Sequence, residues 1–155
     1  MKSHVGRSLS CTLGVAALVL VALPAGAGAP PGQYTIPGDG TVHDTKTGLI
    51  WQQALGDNPG GQSWSAAANY CGSLTLAALS WRVPSVKELK TLVDFTVASP
   101  GPAIDATAFP NTPATYFWSS SPLAGDPSHA WYVNFVDGLT NYSSVGFTSR
   151  VRCVR

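Results

Sequence analysis

Charged residues are scarce in this sequence, and their scarcity excludes one class of partner. Asp, Glu, Lys and Arg together make up 11% of the 155 residues, and the formal net charge is +1. Domains that bind nucleic acid carry a concentrated basic surface or stripe. The sequence has no basic cluster of that kind, so we do not expect nucleic acid as a partner.

Long apolar runs are also scarce, and the longest one excludes a permanent membrane span. Leu13 to Leu23 is almost uninterrupted, but it is shorter than the roughly 20 apolar residues that a transmembrane helix needs. Lys2 and Arg7 precede it, and small residues follow at Ala25–Ala29. A basic start, a short apolar run and an Ala-x-Ala site are typical of a secretory signal peptide.

These features predict the organisation of the chain. We assign 1–29 to a signal peptide, 30–40 to a Gly- and Pro-rich lead-in, and 41–155 to one domain. The protein is then exported, and is either secreted or held at the cell surface. Without Lys2 and Arg7 the exported part has seven basic and eight acidic residues, so its net charge is −1.

Cysteine is the third scarce residue. Of three cysteines, Cys11 precedes the apolar run and leaves with the signal peptide, so Cys71 and Cys153 remain. Two cysteines in an exported domain normally form a disulfide. A zinc site is the weaker alternative, because His43 and His129 lack the close spacing that zinc ligands show. We predict the disulfide, and no cofactor.

What the chain does contain points to a loop-rich fold with β-strands. It has 16 Gly, 12 Pro and five Trp. Strand-forming residues flank a turn at Gly48, which predicts a hairpin of 41–44 and 49–52. Ser63 is a good N-cap for a helix over 64–71 with Gly72 as its end. Ser85 and Glu88 form a capping box for a second helix, whose apolar stripe is Val86, Leu89 and Val93.

The sequence of the second half of the domain predicts mainly strands. Four prolines in 99–113 indicate a long loop. Strands follow at 116–120 and 130–135, and Asp137-Gly138 joins the latter to 139–143 as a hairpin. We expect 150–155 to form a closing strand, with Val151 and Cys153 on one face and two arginines on the other. The fold class is α+β, with two short helices, a long loop and antiparallel strands closed by one disulfide.

Seven motifs in order resemble one bacterial family, the C-terminal domain of the Legionella collagen-like adhesin. They are Asp44-x-x-Thr47-Gly48-Leu49-Ile50-Trp51, Trp64-x-x-Ala67-x-x-Tyr70-Cys71, Trp81-Arg82-Val83-Pro84-Ser85-x-Lys87-Glu88-Leu89, Ala103-Ile104-Asp105, Phe109-Pro110, Trp118-Ser119-Ser120-Ser121 and Val151-Arg152-Cys153-Val154-Arg155. The resemblance implies a C-type-lectin-like fold, related to the domain of formylglycine-generating enzymes. In that fold a cysteine on the first helix pairs with one in the last strand. The resemblance also implies adhesion, with a terminal domain that engages sulfated glycosaminoglycans.

Calcium is not predicted as a cofactor. Lectins of this fold that bind sugar through calcium use Glu-Pro-Asn or Gln-Pro-Asp together with Trp-Asn-Asp, and these triplets are absent. Asp94 and Asp105 could hold a structural calcium ion, but a helix-end carboxylate and a turn-capping aspartate explain them more simply.

The predicted ligand-binding residues lie near the C-terminus. Arg150 and Arg152 are expected on one exposed face, where their guanidinium groups suit sulfate or carboxylate. Tyr142 could stack on a sugar, and Asn141, Asn134 and Asp137 lie on or beside the last hairpin. The alternative for the arginines is that they are ordinary solvated charges or ion-pair partners for Asp44 and Asp137. We predict carbohydrate binding, with anionic or sulfated polysaccharide first, and recognition of a surface protein as the alternative.

Catalysis is the competing class, and we predict that the protein is not an enzyme. Ser119, Ser120 and Ser121 with His43 or His129 suggest a nucleophile and base, but no nucleophile-elbow sequence accompanies them. An enzyme of the formylglycine-generating type, the remote alternative, uses reactive cysteines beyond the structural pair.

Overall fold

The structure is a computed structural model and describes residues 28–56 and 60–155. The predicted signal peptide therefore lies outside the described residues, except for Gly28 and Ala29. The described chain forms six strands and two α-helices, with a 3₁₀ turn at Leu76–Ala78. In chain order these are β1 (Tyr34–Thr35), β2 (Thr41–Asp44), β3 (Ile50–Gln52), α1 (Trp64–Ser73), α2 (Val86–Lys90), β4 (Tyr116–Leu123), β5 (Asp126–Asn134) and β6 (Leu139–Ser144).

The first sheet has the order β1-β2-β3 and is antiparallel. Its β2–β3 turn is built by Asp44, whose Oδ1 accepts from the Lys46 amide at 3.0 Å and whose Oδ2 accepts from Thr47 Oγ1 at 2.7 Å. Gly48 closes the turn with φ +74, a conformation that favours glycine. The predicted hairpin is confirmed, with its second strand starting one residue later than expected.

Helix α1 begins where the sequence predicts and ends later. The Ser63 hydroxyl accepts from the Ala66 amide at 3.4 Å and caps the first turn. The prediction that Gly72 ends the helix is wrong, because the helix continues to Ser73 and Leu74 is the C-cap. Leu74 turns to extended backbone and packs against the core, so apolar burial and not a left-handed glycine ends this helix.

Helix α2 carries the predicted capping box. Ser85 Oγ accepts from the Glu88 amide at 3.2 Å, and Glu88 Oε2 accepts from the Ser85 amide at 2.8 Å. Leu89 is fully buried, and Val86 and Val93 pack against the core. The helix has 5 residues, so it is held mainly by its cap and by this apolar stripe.

The segment between α2 and β4 has no helix or strand, which confirms the predicted long loop. It nevertheless supplies part of the core, since Ala103, Ile104 and Phe109 are buried in it. Asp105 shapes its path by accepting from the Thr107 and Ala108 amides, both at 2.8 Å.

The second sheet has the order β4-β5-β6 and is also antiparallel. Its strands β4 and β5 are longer than the sequence predicts, whereas the Asp137-Gly138 hairpin is confirmed. Gly138 has φ +76 and donates to the Asn134 carbonyl at 2.7 Å. A Cβ on Gly138 would lie 2.4 Å from Val93 Cγ1, so the turn also sits tightly on the end of the α2 segment.

Two apolar clusters pack against the two faces of this sheet, and each covers part of its face. One contains Phe117 and Val133 and packs on the first sheet and α2. The other contains Trp118 and Ala130 and packs on α1 and the disulfide. Three tryptophans are buried in these clusters, namely Trp51, Trp81 and Trp118. Trp64 is partly buried against the second cluster.

The disulfide Cys71–Cys153 is formed, with Cα atoms 5.5 Å apart and both residues fully buried. The prediction of a closing strand over 150–155 is wrong. This segment makes single bridges instead: Arg150 pairs with Phe117 on one side, and Val154 pairs with both Trp51 and Arg82. The segment passes between the two sheets, so it forms single-residue bridges with each sheet and no continuous strand.

The predicted α+β class is confirmed by two antiparallel sheets, two short helices and one disulfide. Among the helices of the described chain, none is both long enough and apolar enough to cross a bilayer.

Candidate functional site

The strand register sorts the side chains of the second sheet onto two faces. Tyr116 lies opposite Asn134, and Tyr132 lies opposite both Trp118 and Asn141. Directly opposed residues share a face, and residues two apart along a strand share it as well. Tyr116, Tyr132, Asn134 and Asn141 are therefore on one face, and Phe147 joins them from the loop after β6. We call these five residues the aromatic–amide face.

The rings of the aromatic–amide face contact one another edge to face. The Tyr116 ring centroid is 5.0 Å from that of Tyr132 and 6.1 Å from that of Phe147. Tyr116 is 38% exposed and Phe147 is 41% exposed. Trp118 lies on the same face and is fully buried beside them, with its ring centroid 6.3 Å from that of Tyr132 and 6.4 Å from that of Phe147. Exposed rings that pack against a buried tryptophan form a surface of fixed shape.

The polar groups of this face are fixed by the hairpin backbone. Asn134 Oδ1 accepts from the Val136 amide at 3.1 Å, and Asn141 Oδ1 accepts from the Tyr142 amide at 2.8 Å. Both side-chain oxygens are engaged, so each amide nitrogen is the group that is oriented for a further partner.

Asp137 and Tyr132 add a carboxylate and a phenol to the polar groups near the turn. Asp137 is exposed and its Oδ1 accepts from the Leu139 amide at 3.0 Å. Burial raises the pKa of Tyr132, with further contributions from Tyr116 and Asp137. The Tyr132 phenol therefore keeps its proton at neutral pH and is available as a hydrogen-bond donor.

Tyr142 lies on the opposite face of the same hairpin. It pairs with Trp131 in the register, with ring centroids 5.5 Å apart, and its ring lies 5.8 Å from that of His129. His129 Nδ1 is 2.7 Å from Asp126 Oδ2. Tyr142 is 47% exposed. The sequence placed it with Asn141, but alternation along β6 separates the two residues.

The two predicted ligand arginines do not share an exposed face. Arg150 is half-buried and lies beside β4, and its backbone pairs with Tyr116 and Trp118. Arg152 is fully buried. The expected alternation does occur, because Val151 and Cys153 enter the other apolar cluster. The error is the assumption that the arginine side of the segment faces solvent.

Arg152 instead joins parts of the chain that are distant in sequence. Its Nη1 donates to the carbonyls of Gln52, at 2.6 Å, and Gln53, and its Nη2 donates to Thr112 Oγ1 at 2.7 Å. Its guanidinium carbon lies 4.8 Å from the centre of the Phe109 ring. Burial lowers the pKa of Arg152 to about 9, which leaves it charged at neutral pH. It is a core residue and does not meet a surface ligand.

Asp94 and Asp105, the pair considered for calcium, line one cavity. Each is already a hydrogen-bond acceptor in its own turn, Asp94 for Thr96 and Asp105 for Thr107 and Ala108. In residues 28–56 and 60–155, no three His, Cys, Asp or Glu side chains come together as a metal site would require.

The residues that sequence reasoning missed are Tyr116 and Phe147. Tyr116 begins a predicted strand and stands two residues before a core tryptophan, so alternation could have placed it beside Tyr132. Phe147 follows β6 in a turn, where its amide donates to the Ser144 carbonyl at 2.8 Å. No pattern in the sequence indicates that its ring turns back over β4.

Comparison with known proteins agrees with the resemblance drawn from the motifs. No curated protein matches this chain. The family model of the Lcl C-terminal domain matches residues 40–155. The chain therefore belongs to the Lcl C-terminal domain family, a family of adhesin-associated domains.

Proposed function

We propose that this protein is an exported, non-catalytic domain that binds extracellular carbohydrate through its aromatic–amide face. Membership of an adhesin-associated family supports an extracellular ligand. The observation that carries the proposal is the group of exposed Tyr116 and Phe147 rings beside the oriented amides of Asn134 and Asn141. The lectin-like character implied by the motifs is part of the same proposal.

The chemistry of this face suits a sugar. An aromatic ring has a negative face, and the C–H groups on one side of a pyranose carry partial positive charge, so the two stack. The hydroxyl groups around the sugar need donors and acceptors. Asn134 and Asn141 supply amide donors, and Asp137 supplies a carboxylate. A shallow face of this kind fits one or two sugar units of a chain.

The preference for anionic or sulfated polysaccharide comes from the resemblance to the adhesin domain, and Arg150 is the basic residue that tests it. Arg150 pairs with Phe117 at the outer edge of β4, so its side chain starts from the face opposite the aromatic–amide face and meets that face only around the edge of the sheet. Because Arg152 is in the core, Arg150 is the one of the two predicted arginines that an acidic group could reach. We expect the rings to supply most of the affinity, and Arg150 to add a contribution that salt weakens.

The non-catalytic part of the proposal has its own support. Cys71 and Cys153 are joined to each other, so neither offers a thiolate. The buried Ser119 hydroxyl donates to the Trp131 carbonyl at 2.7 Å, which leaves it pointing at a backbone oxygen and not at a base. His129 is paired with Asp126 at the other end of β5.

Binding of the oxidised exported protein to neutral and sulfated glycans tests this function. Tyr116→Ala and Asn141→Ala should each weaken glycan binding about fivefold or more, as expected for about 1 kcal/mol of lost contact. Tyr142→Ala is the matched control, since Tyr142 is comparably exposed on the opposite face of the hairpin. Arg150→Gln should reduce binding to sulfated glycans alone, and only at low salt.

The outcomes separate the possible sites. Loss of binding in Tyr142→Ala with none in Tyr116→Ala would move the site to the opposite face. No binding to any glycan by a folded, oxidised sample would overturn the carbohydrate proposal.

A protein partner is the second candidate, favoured by one apolar patch. Phe95 is 70% exposed and Leu139 is 62% exposed. Phe95 lies beside Gly138, the residue that precedes Leu139, because a Cβ on Gly138 would be 2.9 Å from Phe95 Cε1. Protein interfaces are centred on such apolar side chains and depend weakly on salt. Loss of cell-surface attachment in Phe95→Ser, with glycan binding absent throughout, would support this candidate.

A further inference from the structure

A cavity of about 300 Å³ lies where the described chain begins. Its lining includes Gly28 and Ala29 from that end, Tyr34 from β1, and the two carboxylates Asp94 and Asp105. It lies apart from the aromatic–amide face, none of whose residues line it. Two acidic side chains therefore line the same cavity as the first described residues.

The first residues are held by direct contact with these acids. The Ala29 amide donates to Asp105 Oδ2 at 2.8 Å. A Cβ on Gly28 would lie 3.4 Å from the same oxygen, so Gly28 is adjacent to the carboxylate as well. Both residues are half-buried, whereas Pro30 is exposed. Gly28 and Ala29 thus pack as part of the domain.

Asp94 has an oxygen that lacks a partner within the described chain. Its Oδ1 accepts from the Thr96 amide at 2.8 Å and from Thr96 Oγ1 at 2.6 Å. Its Oδ2 is buried and makes no hydrogen bond. A buried carboxylate oxygen without a donor is costly, and a cationic donor is the partner that suits it best.

We propose that signal cleavage occurs after Ala27 and that the new α-ammonium group of Gly28 binds between Asp94 and Asp105. Hydrolysis of the Ala27–Gly28 bond consumes one water, leaves a carboxylate on Ala27 and creates an amino group on Gly28, which takes up a proton at neutral pH. This inference rests on the export that the proposed function assumes, and it is independent of what the domain binds.

The contacts of Ala29 select this cleavage site over the other one. Ala25-Gly26-Ala27 and Ala27-Gly28-Ala29 both satisfy the small-residue rule for cleavage. Cleavage after Ala29 would start the protein at Pro30 and remove the amide that Asp105 binds. Cleavage after Ala27 retains that amide and adds a charged donor one residue away. The signal peptide then ends at 27, two residues earlier than the sequence predicts.

The charges around the cavity favour a cation. Asp94 and Asp105 line it, and Lys46 is the basic residue in its lining. Burial raises the pKa of Tyr34 above its ordinary value, and Asp44, Asp105 and Asp94 raise it further. Three carboxylates thus act on the space beside Tyr34, which is the environment that stabilises an ammonium group.

The pH dependence follows from the same charges. An α-amino group in an unfolded chain has a pKa of about 8, and nearby carboxylates raise it in the folded protein. A raised pKa gives stability that is fully present below about pH 8 and is lost as the pH rises through the folded value. Lys46 is the other charged side chain in the lining of the cavity.

The first experiment identifies the end of the exported protein. The full chain is expressed in a bacterial secretion host, and the mass of the secreted protein gives its first residue. We expect Gly28. A chain that starts at Pro30 or later, or one that keeps its first 27 residues, overturns the proposal.

The second experiment measures what the ammonium group contributes. The thermal midpoint of the protein that starts at Gly28 is compared with that of a protein that starts at Ala27, in which the charge is one residue away. We expect the Gly28 protein to melt about 3 °C higher at pH 7, and the difference to disappear near pH 10. Equal midpoints at pH 7 overturn the docking of the ammonium group.

Matched variants test the acceptor. Asp94→Asn should remove the difference between the two starts, because the buried oxygen no longer carries charge. Asp39→Asn should keep it, since Asp39 Oδ1 accepts from the Thr41 amide and hydroxyl in the same type of turn but away from this cavity. Both readouts are independent of glycan binding, so failure of the proposed function leaves them interpretable.

Discussion

Arg152 should be a main determinant of stability, although its sequence position suggests a surface ligand. Its guanidinium donates to the Gln52 and Gln53 carbonyls and to Thr112 Oγ1. A hydrogen bond from a charged group contributes a net of about 1.5 kcal/mol or more, with desolvation already included. Arg152 Nε is buried without a partner, which offsets about one such bond. Arg152→Met should therefore lower the free energy of unfolding by about 3 kcal/mol.

Arg152→Lys separates the effect of charge from that of shape. Lysine keeps the charge, but its single ammonium group cannot reach the two carbonyls and Thr112 at once. Both variants should therefore be destabilised. Arg155→Met is the control, because Arg155 is exposed. Its free energy of unfolding should stay within about 0.5 kcal/mol of that of the parent protein.

Urea unfolding of the oxidised protein, followed by tryptophan fluorescence, measures these differences. The five tryptophans make the signal strong, and far-UV circular dichroism checks that the transition is two-state. If the free energy of unfolding of Arg152→Met were within 1 kcal/mol of that of the parent protein, the three hydrogen bonds would not outweigh the cost of burying the charge. The reasoning would also fail if Arg152→Lys matched the parent, because charge alone would then be sufficient.

Two further perturbations test other parts of the fold. The Glu88 carboxylate lies 2.6 Å from Arg82 Nη2, and this contact lowers its pKa from 4.5 to about 2. The depressed pKa gives stability above about pH 4.5 that is lost as the pH falls towards 2, so Glu88→Gln should flatten the acid-unfolding curve in that window. At pH 7, loss of the ion pair should lower the free energy of unfolding by less than about 1 kcal/mol, because the Arg82 side chain is 52% exposed and solvent screens the pair. Unchanged acid unfolding would contradict this account. Reduction of the disulfide should remove about 4.5 kcal/mol from the free energy of unfolding, because the bond closes a separation of 82 residues. Urea curves with and without reductant measure that loss, and a loss below 1 kcal/mol would mean that the reduced unfolded chain stays compact.

Local signals in the sequence predicted the local structure well. The Ser85 and Glu88 capping box and the Asp137-Gly138 turn depend on residues within three positions of one another, so the sequence contains everything that determines them. The lengths of β4 and β5 were underestimated for a related reason. Pro122 suggests a break, but it sits at a register shift in the β4–β5 pairing, where a missing amide is tolerated.

The candidate site was harder to predict because it depends on contacts between distant residues. Alternation correctly separated Arg152 from Val151 and Cys153. It could not show that Thr112, 40 positions away, and Gln52, 100 positions away, would enclose the guanidinium. Asn134, Asn141 and Asp137 were predicted from their place on a hairpin and do lie together, whereas Tyr142 was assigned to their group without regard to the face of the strand.

The architecture explains why a binding face could form on β5 and β6. Trp118 packs edge to face against the rings of Tyr132 and Phe147 on the same face, and its indole Nε1 donates to the Gln62 carbonyl at 2.8 Å. The same tryptophan packs in the cluster that contains the disulfide. The exposed rings are therefore fixed by core contacts before any ligand arrives. A ligand that binds a preorganised surface does not have to order it, so even a shallow face of a few residues can retain useful affinity.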